Sequence, residues 1–184
     1  EALFFGSDQY TEDIAPDPGA TVLWFSDDPD LNDQSRARIH AASSELDGRL
    51  RTVENSFAET TFAPGQVYFL NAQKLREGAR LVRGAQDPTN AATPVMAAPD
   101  MAQRTIYDVI ANTVATPGRT LYFILDEAHR GMKTTKKNDQ ERATIVQRLI
   151  NGTALAPAMP IVLGISATVE RFTQAMAHAT DRGA

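Results

Sequence analysis

The chain has 184 residues, enough for one α/β domain with a substantial hydrophobic core. It has no cysteine, which excludes disulfides and thiolate metal sites, and no apolar run approaching the roughly 18 residues a membrane span requires. A formal net charge of −5 argues against nucleic-acid binding by bulk electrostatics alone, but leaves open a grip by main-chain amides and a few side chains.

No basic-then-apolar leader opens the sequence, so a soluble cytoplasmic protein is expected. The apolar start, Ala2 to Phe5, reads as the end of a helix or strand begun upstream, and an acidic loop through Asp13, Pro16, Asp17, Pro18 and Gly19 follows. Thr21 to Phe25 is the first buried-strand candidate. After its polar loop, Asp30 or Asn32 is expected to cap a helix running to about Leu46, with Leu31, Ile39, Ala42 and Leu46 facing inward.

Val67 to Leu70 is the second strand, entered through Pro64 and Gly65 and left through Asn71-Ala72-Gln73-Lys74-Leu75. Asn71 and Gln73 offer uncharged hydrogen-bonding groups suited to phosphate or sugar; the competing reading is that Asn71 caps the next turn. Residues 78–104 show little periodicity and read as a surface loop or insertion. Ile106, Val109, Ile110 and Val114 then recur at helical spacing.

The organising stretch is Leu121 to Leu125 followed by Asp126-Glu127-Ala128-His129. Five large apolar residues after Pro117-Gly118 predict a strand buried on both faces, at the centre of a parallel sheet. Acids at the carboxyl end of such a strand stand in the crevice where open α/β sheets bind ligands. There an Asp can hold Mg²⁺ and a neighbouring acid can orient or deprotonate water. The plainer alternative is a strand end followed by a helix cap. The basic loop beyond it, with Lys133, Lys136 and Lys137, reads as solvated, with nucleic-acid contact as the alternative.

Asp139 to Asn151 is a predicted helix with Ile145, Val146, Leu149 and Ile150 facing in, stopped at Asn151-Gly152. A fourth apolar strand, Ile161 to Ile165, ends in Ser166-Ala167-Thr168, and Val169, Phe172 and Met176 repeat at helical spacing after it. Four continuous apolar strands alternating with helices predict an α/β fold, a doubly wound parallel sheet with helices on both faces, over a single domain spanning 1–184.

The two strand ends, Asp126-Glu127-Ala128-His129 and Ser166-Ala167-Thr168, in this order and one helix apart, resemble motifs II and III of superfamily 2 helicases and translocases. The phrase Asn71 to Leu75, and Asp126 to Met132, look closest to the helicase subunits of type III restriction enzymes. The resemblance implies a RecA-like lobe in which Asp126 holds Mg²⁺ between the β- and γ-phosphates of ATP and Glu127 polarises the attacking water. It further implies that His129 senses the γ-phosphate or bonds to motif III, and that Ser166 and Thr168 couple hydrolysis to lobe movement. Pro29, Leu31 and Gln34 loosely match the nucleic-acid loop of motif Ia in that family, with an ordinary β-α turn as the alternative. The implied partners are double-stranded DNA, a second RecA-like lobe of the same protein and a methyltransferase or specificity subunit.

Thr116-Pro117-Gly118-Arg119 spells the DEAD-box motif Ib, but it sits directly before the Asp126 strand, on the wrong edge of the sheet, and reads as a turn. The phosphate-cradling Gly-Lys-Ser or Gly-Lys-Thr loop is not in this sequence. Family order puts it upstream of Glu1, so the chain is expected to be part of a lobe. Two other readings stay open: a non-enzymatic RecA-like binding module, and a metal-dependent hydrolase with Asp126, Glu127 and His129 as ligands.

Overall fold

The computed structural model describes residues 2–6, 15–76, 78–83, 104–126, 137–154 and 156–165. Its centre is a five-stranded, all-parallel sheet. The strands are β1 (Ala20–Ser26), β2 (Leu50–Thr52), β3 (Val67–Asn71), β4 (Thr120–Leu125) and β5 (Ile161–Gly164), in the spatial order β2-β3-β1-β4-β5. The helices are α1 (Ala2–Phe5), α2 (Pro29–Ala42), α3 (Ile106–Ala115) and α4 (Lys137–Asn151). The expected parallel α/β sheet with helices on both faces is the fold observed.

Side chains alternate across the pleat, so each strand feeds two cores. On one face Leu23, Phe25, Tyr68, Leu70, Leu121, Phe123 and Leu125 meet Ile106, Val109 and Ile110 of α3 and Ile145, Val146, Leu149 and Ile150 of α4. Fully burying one such aliphatic or aromatic side chain contributes about 1.5–3 kcal/mol. The other face is a smaller cluster of Val22, Val67 and Phe69, with Leu3 and Phe4 of α1 and Ile39 of α2 packed against it.

The connections keep one hand. Leaving β1, the chain crosses toward β2 over the face of α1 and α2. It returns from β3 to β4 through α3, and goes from β4 to β5 through α4, over the opposite face. Opposite directions on opposite faces are what a uniform crossover hand requires.

Several local expectations are corrected. A fifth strand, β2, runs along the edge beside β3. Its sequence, Leu50-Arg51-Thr52, is too short and too polar to register as an apolar run. The cap of α2 is Asp28, whose carboxylate accepts from the Asp30 N–H at 3.0 Å, and not Asp30 or Asn32. Pro29 is suited to the first helical position because its fixed φ fits and its missing N–H is not needed there. The helix stops at Ala42, and Leu46 lies in a separate buried 3₁₀ turn, Ser44–Leu46. The one fully buried side chain of α2 is the polar Asn32.

The strand β4 is not buried on both faces: Leu121, Phe123 and Leu125 are buried while Thr120, Tyr122 and Ile124 are half-buried. The cause is uneven cover, since Tyr122 and Ile124 lie on the face that, among the described residues, carries only α1 and α2. The same face of β5 is barer still, with Leu163 50% and Ile165 47% exposed.

Other expectations hold. The helical spacing of Ile106, Val109, Ile110 and Val114 is α3, which Thr105 caps in a reciprocal capping box with Asp108. Gly118, at φ +72, turns the chain into β4, and its carbonyl lies 1.9 Å from where a Cβ on Gly19 would fall, so the turns entering β1 and β4 touch. Thr116 to Arg119 therefore lies at the amino end of β4, as a turn. Residues 84–103 of the expected insertion at 78–104, residues 130–136 of the basic loop and the helix after Thr168 lie outside the described residues; Lys137, expected in that loop, is instead the first residue of α4.

Candidate functional site

The carboxyl ends of β3, β1, β4 and β5 form one row. Ser26 is in register with Asn71, the Asp126 N–H donates to the Phe25 carbonyl at 2.8 Å, and the Ile165 N–H donates to the Leu125 carbonyl at 2.9 Å. The row thus reads Asn71, Ser26, Asp126 and then Ile165, the residue before Ser166. It lies on the sheet edge where ligands of open parallel sheets bind.

Asp126 follows immediately on the last residue of β4 and is half-buried. Its Oδ2 accepts two hydrogen bonds, from the Trp24 indole N–H at 3.3 Å and from the Ser35 hydroxyl at 3.1 Å. Trp24 comes from β1, in register with Ile124, and Ser35 from the second turn of α2. Next to them the Ser26 hydroxyl donates to Asn32 Oδ1 at 2.7 Å and lies 2.9 Å from the Asp28 carbonyl. The Asn32 amide nitrogen is buried with no hydrogen-bond partner. These polar groups tie the start of α2 to the ends of β1 and β4.

The remaining sequence candidates divide. Pro29 is the first residue of α2 and half-buried, and Gln34 is exposed on the same helix. Asn71 is buried, and its Oδ1 accepts from the Lys74 N–H at 3.2 Å, which caps the 3₁₀ turn Ala72–Leu75. That is the competing reading offered for this residue, and burial takes its side chain away from solvent. Gln73 is exposed. Lys74 turns toward β2: its ammonium donates to the Val53 carbonyl and pairs with Glu54 at 3.0 Å. Glu127, His129, Ser166, Ala167 and Thr168 lie outside the described residues.

Among the described residues no three His, Cys, Asp or Glu side chains group to hold a metal. A single carboxylate nevertheless suits Mg²⁺ arriving with a nucleotide. That ion keeps several waters and is held by one or two carboxylates plus phosphate oxygens, without an all-protein cage. Asp126, half-buried at the strand end with its side chain oriented by two donors, meets that requirement.

Trp24, Ser35, Ser26 and Asn32 were not singled out from the sequence as site residues. The serines are unremarkable as letters, and Trp24 reads there as one apolar residue of a strand. Among the described residues no helix is long and apolar enough to cross a membrane. No model of a known protein family matches the chain, and no curated protein matches it significantly.

Proposed function

We propose that this chain is the greater part of an ATP-hydrolysing RecA-like lobe of a helicase or translocase, acting on double-stranded DNA. The observation that carries the reading is Asp126 at the carboxyl end of a central parallel strand, with its carboxylate oriented by side chains of β1 and α2. Asp126 would hold Mg²⁺, which when bound neutralises charge on the β- and γ-phosphates of ATP. Glu127 orients the attacking water and takes its proton. His129 bonds to the γ-phosphate side of the site, and Ser166 and Thr168, with Ala167 between them, relay its state to a second RecA-like lobe of the same protein. Pro29, Gln34 and Gln73 are the candidate DNA contacts, and a methyltransferase or specificity subunit is the proposed partner.

The bare side of β5 supports an incomplete lobe. Leu163 and Ile165 are exposed on the face of α1 and α2. Continuing the same crossover hand, a strand feeding β1 through a helix on that face belongs beyond β5, where the edge is open among the described strands. A strand and helix carrying the phosphate loop would fill this place.

The test is ATP hydrolysis by the full-length protein with duplex DNA. Mg²⁺-dependent turnover is expected, falling at least about 100-fold in Glu127→Gln, on the scale of a lost general base. The isolated 184-residue chain is expected to bind ATP weakly and to hydrolyse none. Robust turnover by the isolated chain, or full activity in Glu127→Gln, contradicts the proposal.

A further inference from the structure

Trp24 and Ser35 do something the fold does not require. The backbone of Asp126 is already fixed by its N–H on the Phe25 carbonyl, so the sheet is complete without its side chain. Two donors from elements 102 and 91 residues away nevertheless converge on one oxygen of that carboxylate. A serine inside a helix ordinarily satisfies its hydroxyl on the carbonyl one turn back; Ser35 reaches off its helix instead. An indole N–H is only a donor, so its aim at Oδ2 is directional.

We propose that Ser35 and Trp24 are positioning residues for Asp126, holding Oδ2 so that the carboxylate presents one fixed orientation to a nucleotide-bound Mg²⁺. The proposal rests on the ATPase reading above. Metal-ligating carboxylates are commonly held by such outer hydrogen bonds, whose loss costs 10- to 100-fold in metal affinity or activity. Ser35 is the more informative of the two, because it is half-buried on α2 and makes no contribution to either apolar cluster. Trp24 also packs on Phe69, with ring centroids 6.0 Å apart, so its replacement removes packing as well as a donor.

The experiment measures binding of a fluorescent ATP analogue to the full-length protein, with Mg²⁺ and with chelator, so that the readout is independent of turnover. Ser35→Ala is expected to weaken the Mg²⁺-dependent affinity about 10-fold and leave the affinity in chelator unchanged. Ser35→Thr, which keeps the hydroxyl, is expected to restore it, and Trp24→Phe to act in the same direction as Ser35→Ala. Asp126→Asn separates the two levels of inference. If Asp126→Asn abolishes the Mg²⁺ dependence while Ser35→Ala binds as the wild type does, the positioning role is overturned and the ATPase reading stands. If Asp126→Asn changes nothing, the ATPase reading falls and the positioning role with it. Equal weakening with and without Mg²⁺ in Ser35→Ala marks a structural defect and overturns the proposal.

Discussion

Individual residues in this chain carry their meaning through partners far away in sequence. Asp126 was recognisable because two acids follow an apolar run, a pattern held within seven letters, Leu121 to Glu127. Its partners Trp24 and Ser35 were not, because their approach depends on the register of β1 against β4 and on the angle at which α2 crosses the sheet. Tyr68 shows the same dependence. It reads as one apolar letter in β3, yet its ring lies 4.6 Å from that of Phe62, its hydroxyl donates to Glu59 at 3.0 Å, and it accepts from the Ala63 N–H at 3.1 Å. Burial is the main reason its phenol is pushed above the usual value; the Ala63 bond pulls it back and the nearby Glu59 carboxylate adds to the rise. The folded phenol therefore holds its proton to higher pH than the unfolded one. Its contribution is whole below about pH 10, the unfolded value, and is lost as pH climbs through the folded value. Tyr68→Phe is expected to cost about 1–2 kcal/mol at neutral pH, and to flatten the alkaline fall in stability. Urea unfolding midpoints measured from about pH 8 to about pH 11 check both, and an alkaline slope equal to the wild type's contradicts the assignment.

At the level of elements, strands β1, β3 and β4 and helices α3 and α4 were legible because each pairs a strong apolar period with a clear stop. Pro64-Gly65, Pro117-Gly118 and Asn151-Gly152 mark turns that the structure keeps, with Gly65, Gly118 and Gly152 all at positive φ. Edge elements were not legible. A strand such as β2 needs only one neighbour and one apolar residue, which leaves no pattern to read. The apolar run of β5 correctly announced a strand, but its burial depends on cover that the described residues do not supply. That mismatch is testable. Leu163→Ala in the isolated chain is expected to change stability by less than about 1 kcal/mol, as for an exposed position. In the full-length protein, where a further strand and helix would cover the site, the same change is expected to cost about 2–5 kcal/mol, as in a core. Denaturant unfolding of both, followed by a probe in this lobe, separates them; the same small cost in each contradicts the idea that β5 is covered.

The whole molecule is a parallel sheet whose chemistry gathers at one edge. Strand order and connection faces put Asn71, Ser26 and Asp126 in one row, and all the crossovers seen so far share a hand. Alternating apolar strands and helices made the class of fold readable without coordinates. The order β2-β3-β1-β4-β5 was not, since nothing local in a strand names its neighbour. On the proposed ATPase reading, the flank beyond β5, open among the described strands, is where the strand carrying the phosphate loop would belong. The most direct measurement is therefore the coding sequence upstream of Glu1. The expected result is a short apolar strand ending in a Gly-Lys-Thr or Gly-Lys-Ser loop, followed by a helix that leads into Ala2–Phe5. A parent gene that begins at Glu1, or one whose upstream segment lacks that loop, contradicts the ATPase and makes a non-enzymatic binding module the better description.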